Sequence, residues 1–393
     1  MKKNKSRINI VLFLLICIIF APKTFAKAEV IETKDIKSEK SIIQTLPNLL
    51  ADKQLLVSTQ FDLRSLINVV VKNQKSTQEC WAFAANTALE TNLALRENKN
   101  YDFSERHMVY ATSKTFKDGV NNLAHNREVT SGGNASIAMA YYTSGRGPVL
   151  EEDMPFSEDE SKIYLSEIAN KTVQKKVSDY IIFPSIEKNK DDDGNITYTD
   201  VGKKTIYTDT EVQAIRNQIK KHIMNYGAVI TMTVSGSGYN NYYNYDLDYP
   251  ALYCNNSNLT PNHQVAIIGW DDNYLVDNFN QENRPSNPGA YLVLNSYGTD
   301  NFKYGCYYIS YEDVFVEEGL VGVINVEDID YDNIYQYDEL GLSTNICVKD
   351  KQELYGANVF EKGKLKDEIL TQISIASPIE QEFELYVNST DGD

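Results

Sequence analysis

Cys80 lies in the stretch N-Q-K-S-T-Q-E-C-W-A-F, directly ahead of an apolar run. From Glu79 to Leu95, the residues Ala82, Phe83, Leu89, Leu93 and Leu95 recur near three- and four-residue steps, with no glycine or proline. That spacing predicts a helix with Cys80 at its N-terminus. A helix start offers unpaired N–H groups and the positive end of the dipole, and both favour thiolate over thiol. A neighbouring imidazole would lower the thiol pKa further. Of the four histidines, His107 and His222 fall on predicted helices among apolar residues, and His125 falls in a polar loop. His263 differs, because it opens the strand-like run H-Q-V-A-I-I-G-W, where it can meet a thiol presented by the helical half. Asn295 follows the strand-like A-Y-L-V-L, and its carbonyl can orient the ring by accepting a hydrogen bond. Gln74, six residues before Cys80, can offer its amide N–H to an oxyanion beside the backbone N–H of Cys80. Each residue alone has a plainer reading, since a lone cysteine is most often a small buried hydrophobe. In the order Gln, Cys, His, Asn, they are the parts of a thiol-based acyl transfer.

The elements that must position these residues read as two halves. Short helices are predicted over 102–112, with Ser104 as N-cap, over 136–143, and over 210–225, ending before Gly227. Short runs rich in Val, Ile, Tyr and Leu follow at 229–234, 264–270, 290–294 and 307–311. A helical half before a strand-rich half indicates an α+β fold rather than alternating βαβ units. The polar stretch 186–205 reads as an exposed hairpin or loop, and its Asp191-Asp192-Asp193-Gly194-Asn195 as a solvated loop rather than a calcium site. The acidic segment after Val326 reads as a boundary. It precedes a smaller β-rich part over 326–393, in which Asp328, Asp330 and Asp332 read as a solvated linker.

The bulk numbers narrow the class. With 393 residues and 42% hydrophobic content, the chain can bury a large core. A net charge of −17 argues against nucleic-acid or anionic-membrane partners. Lys2, Lys3, Lys5 and Arg7, the apolar run Ile8–Phe20 and the small residues around Ala26 and Ala28 fit a cleaved secretory signal over 1–28. The run is too short for a spanning helix, which needs about 20 apolar residues. Residues 29–58 read equally as a short pro-segment or a linker. Removing the signal leaves Cys80, Cys254, Cys306 and Cys347, too few and too scattered for a disulfide framework and without a C-x-x-C pair.

The flanks of the four residues resemble those of papain-like cysteine peptidases. The matching pieces are F-D-L-R at 61–64, N-Q-x5-C-W-A-F, F-S-E-R-H-M-V, S-G-G-N, N-H-x-V-A-I-I-G-W and N-S-Y-G with G-C-Y-Y-I-S-Y, covering roughly residues 60–325. G-W-D-D-N-Y and I-S-Y-E-D are most similar to clostridial cell-surface members that carry a lectin-like domain, and Y-Q-Y-D-E-L-G at 335–341 resembles the start of such a domain. The resemblance implies a two-lobed fold over 59–325 followed by a partial lectin-like domain. It implies peptide-bond hydrolysis by Cys80, His263, Asn295 and Gln74, with Gly132, Gly133 and Gln264 against substrate and with neither cofactor nor metal. It also implies a secreted or cell-surface monomer acting on protein or peptide, with a glycan as possible ligand of the tail. The alternative is a weakly active scaffold that binds through its tail. A peptidoglycan amidohydrolase would need a shorter Cys-to-His spacing.

Four residues depart from the family pattern. Lys75 stands where the family has glycine, and lysine resists positive φ. Glu79 stands where a small polar residue is usual, and a carboxylate there opposes a thiolate while favouring an imidazolium. Gln264 replaces a small residue beside the specificity pocket, and Tyr297 replaces the tryptophan that shields the Asn–His bond.

Overall fold

The computed structural model describes residues 6–12, 57–120, 126–190, 196–200, 206–299, 302–331, 333–335 and 368–375. His125, Asp191–Asn195, Asp332, Cys347, most of the N-terminal apolar run and residues 29–56 lie outside the described residues. The chain divides into two compact units. One comprises 1–41 and 330–393; its described part is a sheet in which β1 (Ser6–Leu12) runs parallel to both β13 (Asn333–Tyr335) and β14 (Glu368–Ile375). The other, 42–329, carries every candidate site residue.

That second unit has two large hydrophobic cores and two smaller ones. The first is helical. Its main element is α1 (Cys80–Glu97), buried around most of its circumference because alanines at 82, 84, 85 and 88 let neighbours approach closely. Against it pack α2 (Glu105–Ala111) and α3 (Ala135–Thr143). Ser104 Oγ accepts the His107 N–H at 2.9 Å, and Asn134 Oδ1 accepts the Ile137 N–H at 3.1 Å, so each helix start is capped by its own sequence. A short α4 (Leu165–Ala169) closes this lobe. His107 and His222 are buried packing groups, as their helical positions predict.

The second core belongs to a nine-stranded sheet ordered β3-β12-β6-β9-β10-β11-β8-β7, with β2 on β9. Its strands are β2 (Gln60–Asp62), β3 (Lys175–Ile182), β6 (Val229–Thr233), β7 (Tyr243–Asn244), β8 (Ala251–Leu252), β9 (His263–Asp271), β10 (Ala290–Leu294), β11 (Cys306–Ser310) and β12 (Val321–Asp328). A separate hairpin pairs β4 (Ile186–Lys190) with β5 (Ile196–Asp200), as the polar excursion predicts. The hairpin is not wholly solvated, however: Ile186 and Lys188 are buried. β12 runs on through Glu327 and Asp328, because Val326 faces Val177 across the ladder and Lys175 Nζ pairs with Asp328 at 2.7 Å. The helix α5 (Asp209–Tyr226) covers the sheet with a reciprocal cap, Thr208 N–H to Glu211 Oε2 at 2.7 Å. It ends at Gly227, where φ is +97° and a Cβ would lie 2.7 Å from Thr91 Oγ1, so only glycine lets α5 turn against α1.

β9 is the strand on which the lobes meet. It pairs β6 and β10, it is buried from His263 to Trp270, and α1 packs across it. The antiparallel register Leu294↔Ala266 carries Asn295, one residue on, back towards His263.

Candidate active site

Cys80 opens α1 as a free thiol, and its flanking Trp81 and Ala82 are wholly buried. Burial pushes the thiol pKa up, and the backbone N–H groups of Gln264, Trp81 and Cys80 itself pull against that rise. The helix start therefore supplies donors, as the sequence predicts, but desolvation is the larger influence. The Gln264 N–H, next in the chain to His263, thus faces the Cys80 thiol.

His263 is buried and held by two side chains. Its Nε2 lies 2.8 Å from Asn295 Oδ1. That oxygen already accepts the Ser296 N–H at 2.9 Å, so it has no proton to give and Nε2 must donate. The proton is thereby fixed on Nε2 and Nδ1 keeps its lone pair. Tyr297 stacks on the ring with centroids 4.8 Å apart and planes inclined by 23°, filling the shielding position with a flat aromatic ring. Burial pushes the His263 pKa down to about 4, against the opposing bond to Asn295.

Gln74 is stitched to the loop after β10. Its N–H donates to Ser296 O at 2.7 Å, and its Oε1 accepts the Ser296 hydroxyl at 2.6 Å. One Nε2 hydrogen donates to Thr77 O at 2.6 Å, which leaves the second for a ligand. Ser296 sets which way the amide faces, a role that its position beside Asn295 did not announce. Lys75 adopts φ +52°, the left-handed conformation that its glycine-like position demands, and its N–H donates to Asn73 Oδ1 at 2.9 Å. Lys75→Gly is expected to relieve about 1 kcal/mol of backbone strain, part of it offset by chain entropy. Thermal unfolding of the two proteins checks this, and a lowered Tm would contradict it.

Glu79 is 2% exposed and its Oε2 has no hydrogen-bond partner. Burial, and after it the charges of Glu105 and Glu160, push its pKa up to about 8 against the pull of Arg127 and Arg106. At pH 7 it is therefore mainly a neutral acid, and the carboxylate expected to oppose a thiolate is largely absent. The linkage sign follows. A raised acid pKa favours folding fully below the ordinary carboxyl value of about 4.3, and that favour is lost as pH rises to about 8. Glu79→Gln should gain on the native protein through this window and be about 1–3 kcal/mol more stable at pH 9. Thermal unfolding at pH 4.5 and 9 tests it, and an equal difference at both would contradict it.

Gly132 is exposed with open space where a Cβ would stand, whereas a Cβ on Gly133 would lie 2.4 Å from the Trp81 ring. Glycine at 133 thus lets the loop lie on the residue that follows the nucleophile. Arg127 holds the loop in place: its guanidinium donates to Val109 O at 2.7 Å, Ser131 O at 2.7 Å and Gly132 O at 3.3 Å, and lies 5.1 Å over Trp81. Nothing in the sequence flagged Arg127. Gln264 is buried beside Cys80, with an unpartnered Oε1, at a small crevice lined by Phe83, Leu294 and Asn295. Among the described residues, no group of three or more His, Cys, Asp or Glu is placed to hold a metal.

A cysteine at a helix start and an Asn-oriented imidazole at a strand start match a known plan, and a family comparison decides it: residues 57–321 match the model of the papain family cysteine proteases. The chain belongs to that family. This papain-family chain is similar in structure to the clostridial cysteine protease Cwp84 after propeptide cleavage, with 28% identity and a TM-score of 0.51 over 70% of this chain. It is also similar to the cysteine protease and lectin-like domains of Cwp84, described as a surface layer associated protein of Clostridium difficile, with 29% identity and a TM-score of 0.52 over 70% of this chain. The match spans 59% and 53% of those two chains. Comparison with curated protein sequences gives no match. The papain-like two-lobed fold and the papain cysteine-protease family expected from the sequence are thus established for this chain. Among its described residues, no helix is long and apolar enough to cross a membrane.

Proposed function

We propose that the protein is a secreted or surface-held endopeptidase that cuts peptide bonds through an acyl-enzyme on Cys80. The observation that carries this reading is the 2.8 Å bond from His263 Nε2 to Asn295 Oδ1, which leaves Nδ1 unprotonated as a base. In the proposed cycle, Nδ1 takes the Cys80 proton and the thiolate adds to the substrate carbonyl. The backbone N–H of Cys80 and the second Nε2 hydrogen of Gln74 hold the oxyanion. As the intermediate collapses, Nδ1–H passes to the leaving amine, and water then hydrolyses the thioester with the same nitrogen as base. The chain needs no metal or cofactor for these steps. Gly132 and Gly133 would receive an extended substrate strand, and Gln264 would narrow the adjoining pocket. Burial disfavours a lone thiolate and a lone imidazolium, but moving one proton between them leaves the net charge unchanged. The two opposite charges then attract at low dielectric.

Secretion by the N-terminal signal, whose cleavage would take β1 from the sheet it forms with β13 and β14, a peptidase body over 59–325 and a lectin-like tail over 326–393 complete the proposal. The surface-layer association of Cwp84 and the family resemblance of the tail support it. A second reading is a weakly active scaffold that binds a glycan through the tail; the burial-driven shifts at Cys80 and His263 favour it. Digestion of a denatured protein by the purified chain at pH 6, with and without prior thiol alkylation, separates the two. Cleavage that alkylation stops supports the peptidase, whereas no cleavage by a chain with its thiol intact supports the binder.

A further inference from the structure

A cavity of about 370 Å³ lies in the helical lobe, and none of its lining residues belongs to the candidate active site. Small-molecule sites span about 300–1,000 Å³, so this one is large enough for a ligand. Its apolar wall is Ala111 at the end of α2, Phe116 in the loop beyond, Leu165, Ile168 and Ala169 of α4, and Val173. Apolar cavities take apolar ligands in preference to water. Two cations, Arg146 and Lys171, share the lining, and no carboxylate does among the described residues. Each is held by a neutral carbonyl. Arg146 Nη1 donates to Ala111 O at 3.2 Å, and Lys171 Nζ donates to Asp153 O. His107 completes the wall, with Nδ1 2.7 Å from the Tyr141 hydroxyl and Nε2 3.2 Å from Ile168 O. Burial pushes its pKa down to about 4; the Ile168 carbonyl opposes that fall and the Lys171 charge adds to it. His107 is therefore neutral at pH 7, and the charge of the cavity is that of Arg146 and Lys171.

We propose that this cavity binds a free, single-chain aliphatic carboxylate, its chain against the apolar wall and its head group at Arg146 and Lys171. The inference is independent of the reading of Cys80 as nucleophile. Two properties of the lining select this chemistry. The wall offers a chain nothing but apolar contact, and each methylene it covers should tighten binding about three- to fourfold. The planar fork of Arg146 suits a carboxylate, and the Lys171 ammonium adds a point charge. The chain as a whole carries a net charge of −17, so its field repels anions and attracts cations. An anion that binds here is therefore held by local groups, and the two cations of the lining are those groups. The same field disfavours an anionic bilayer, which leaves a free carboxylate as the occupant.

The test is isothermal titration of the full chain at pH 7 with octanoate, octanol and octyltrimethylammonium. Octanoate should bind about tenfold more tightly than octanol, and the cation most weakly. Shortening octanoate to hexanoate should weaken binding by about tenfold. Lys171→Met and Arg146→Met should each weaken octanoate by about tenfold and leave octanol unchanged, which shows the cavity intact. Ala169 is exposed at the last residue of α4, so Ala169→Trp fills the cavity from its rim and should abolish binding of both ligands. The inference is overturned if octanoate binds no tighter than octanol, or if neither binds at millimolar concentration. It is also overturned if Ala169→Trp binds as the native protein does, or if both methionine variants weaken octanol as much as octanoate. Sedimentation with phosphatidylglycerol vesicles separates a free carboxylate from a lipid head group. The chain should stay in solution, and pelleting that Lys171→Met prevents would overturn the assignment to a free ligand.

Discussion

His263→Ala should lower kcat/KM for a peptide substrate by about a thousandfold or more. The ring is the proposed base for Cys80 and the proposed acid for the leaving amine, so both halves of the cycle lose their proton carrier. The fold should survive. His263 sits at the first residue of β9, and the ladder bonds of that strand are backbone bonds that alanine keeps. What is lost in packing is the stack on Tyr297 and the bond to Asn295. Steady-state kinetics run beside thermal unfolding tests this. Activity within tenfold of native, in a variant that unfolds normally, would remove His263 from the chemistry.

The second large effect lies away from the site. Glu317 is wholly buried and takes both ends of the Arg216 fork, Nε at 2.7 Å and Nη2 at 3.0 Å, together with the Tyr291 hydroxyl at 2.9 Å. Lys188 of the β4–β5 hairpin reaches the same carboxylate at 3.2 Å, as an ion pair without hydrogen-bond geometry. Burial alone would raise the Glu317 pKa, but Arg216 and Lys188 outweigh it and hold the group down at about 2. Glu317→Ala strands two cations in the core and should cost about 3–5 kcal/mol, since breaking a buried pair leaves an uncompensated charge. Replacing all three partners with apolar residues should recover most of it. The pH sign is that of a depressed acid: the stabilisation is full above about 4.3 and is lost as pH falls towards about 2. Urea unfolding of the single and triple variants checks both statements, and a single variant within 1 kcal/mol of native would contradict them.

The same cluster explains part of what the sequence hid. Lys188 stands in the polar run E-K-N-K-D-D-D-G-N, where a lysine reads as solvated, yet a partner 129 positions later draws it inside. β3 was hidden for a similar reason: it opens with Lys175 and Lys176, both buried, and Lys175 finds Glu97 and Asp328 at 2.7 Å each. Where charges are neutralised by distant residues, local pattern fails. The α1 helix, β9 and β10 were legible because their apolar residues repeat with one period and turn residues bound them. The Gln, Cys, His and Asn were legible because each sits next to such an element. Glu79 could be named from sequence as a departure, but whether it carries charge depends on burial and on Glu105, Glu160, Arg106 and Arg127, which only the fold brings together. Lys75 was legible in the other direction, since a position that suits glycine is left-handed here as well. The hydroxyls of Ser296 and Tyr297 reach Gln74 and Ser235, residues distant in the sequence, and no spacing rule reports that.

The most direct test of the central claim is to trap the acyl-enzyme. The protein is mixed with an activated ester of a short peptide, quenched in acid within the first turnover, and its peptides are weighed. A thiol peptidase gives an early burst and a thioester on the nucleophile. The expected result is one acyl increment on the peptide that contains Cys80, none on those with Cys254 or Cys306, and no burst in Cys80→Ala. Ester turnover at an undiminished rate in Cys80→Ala, or an increment on another cysteine, would contradict the account.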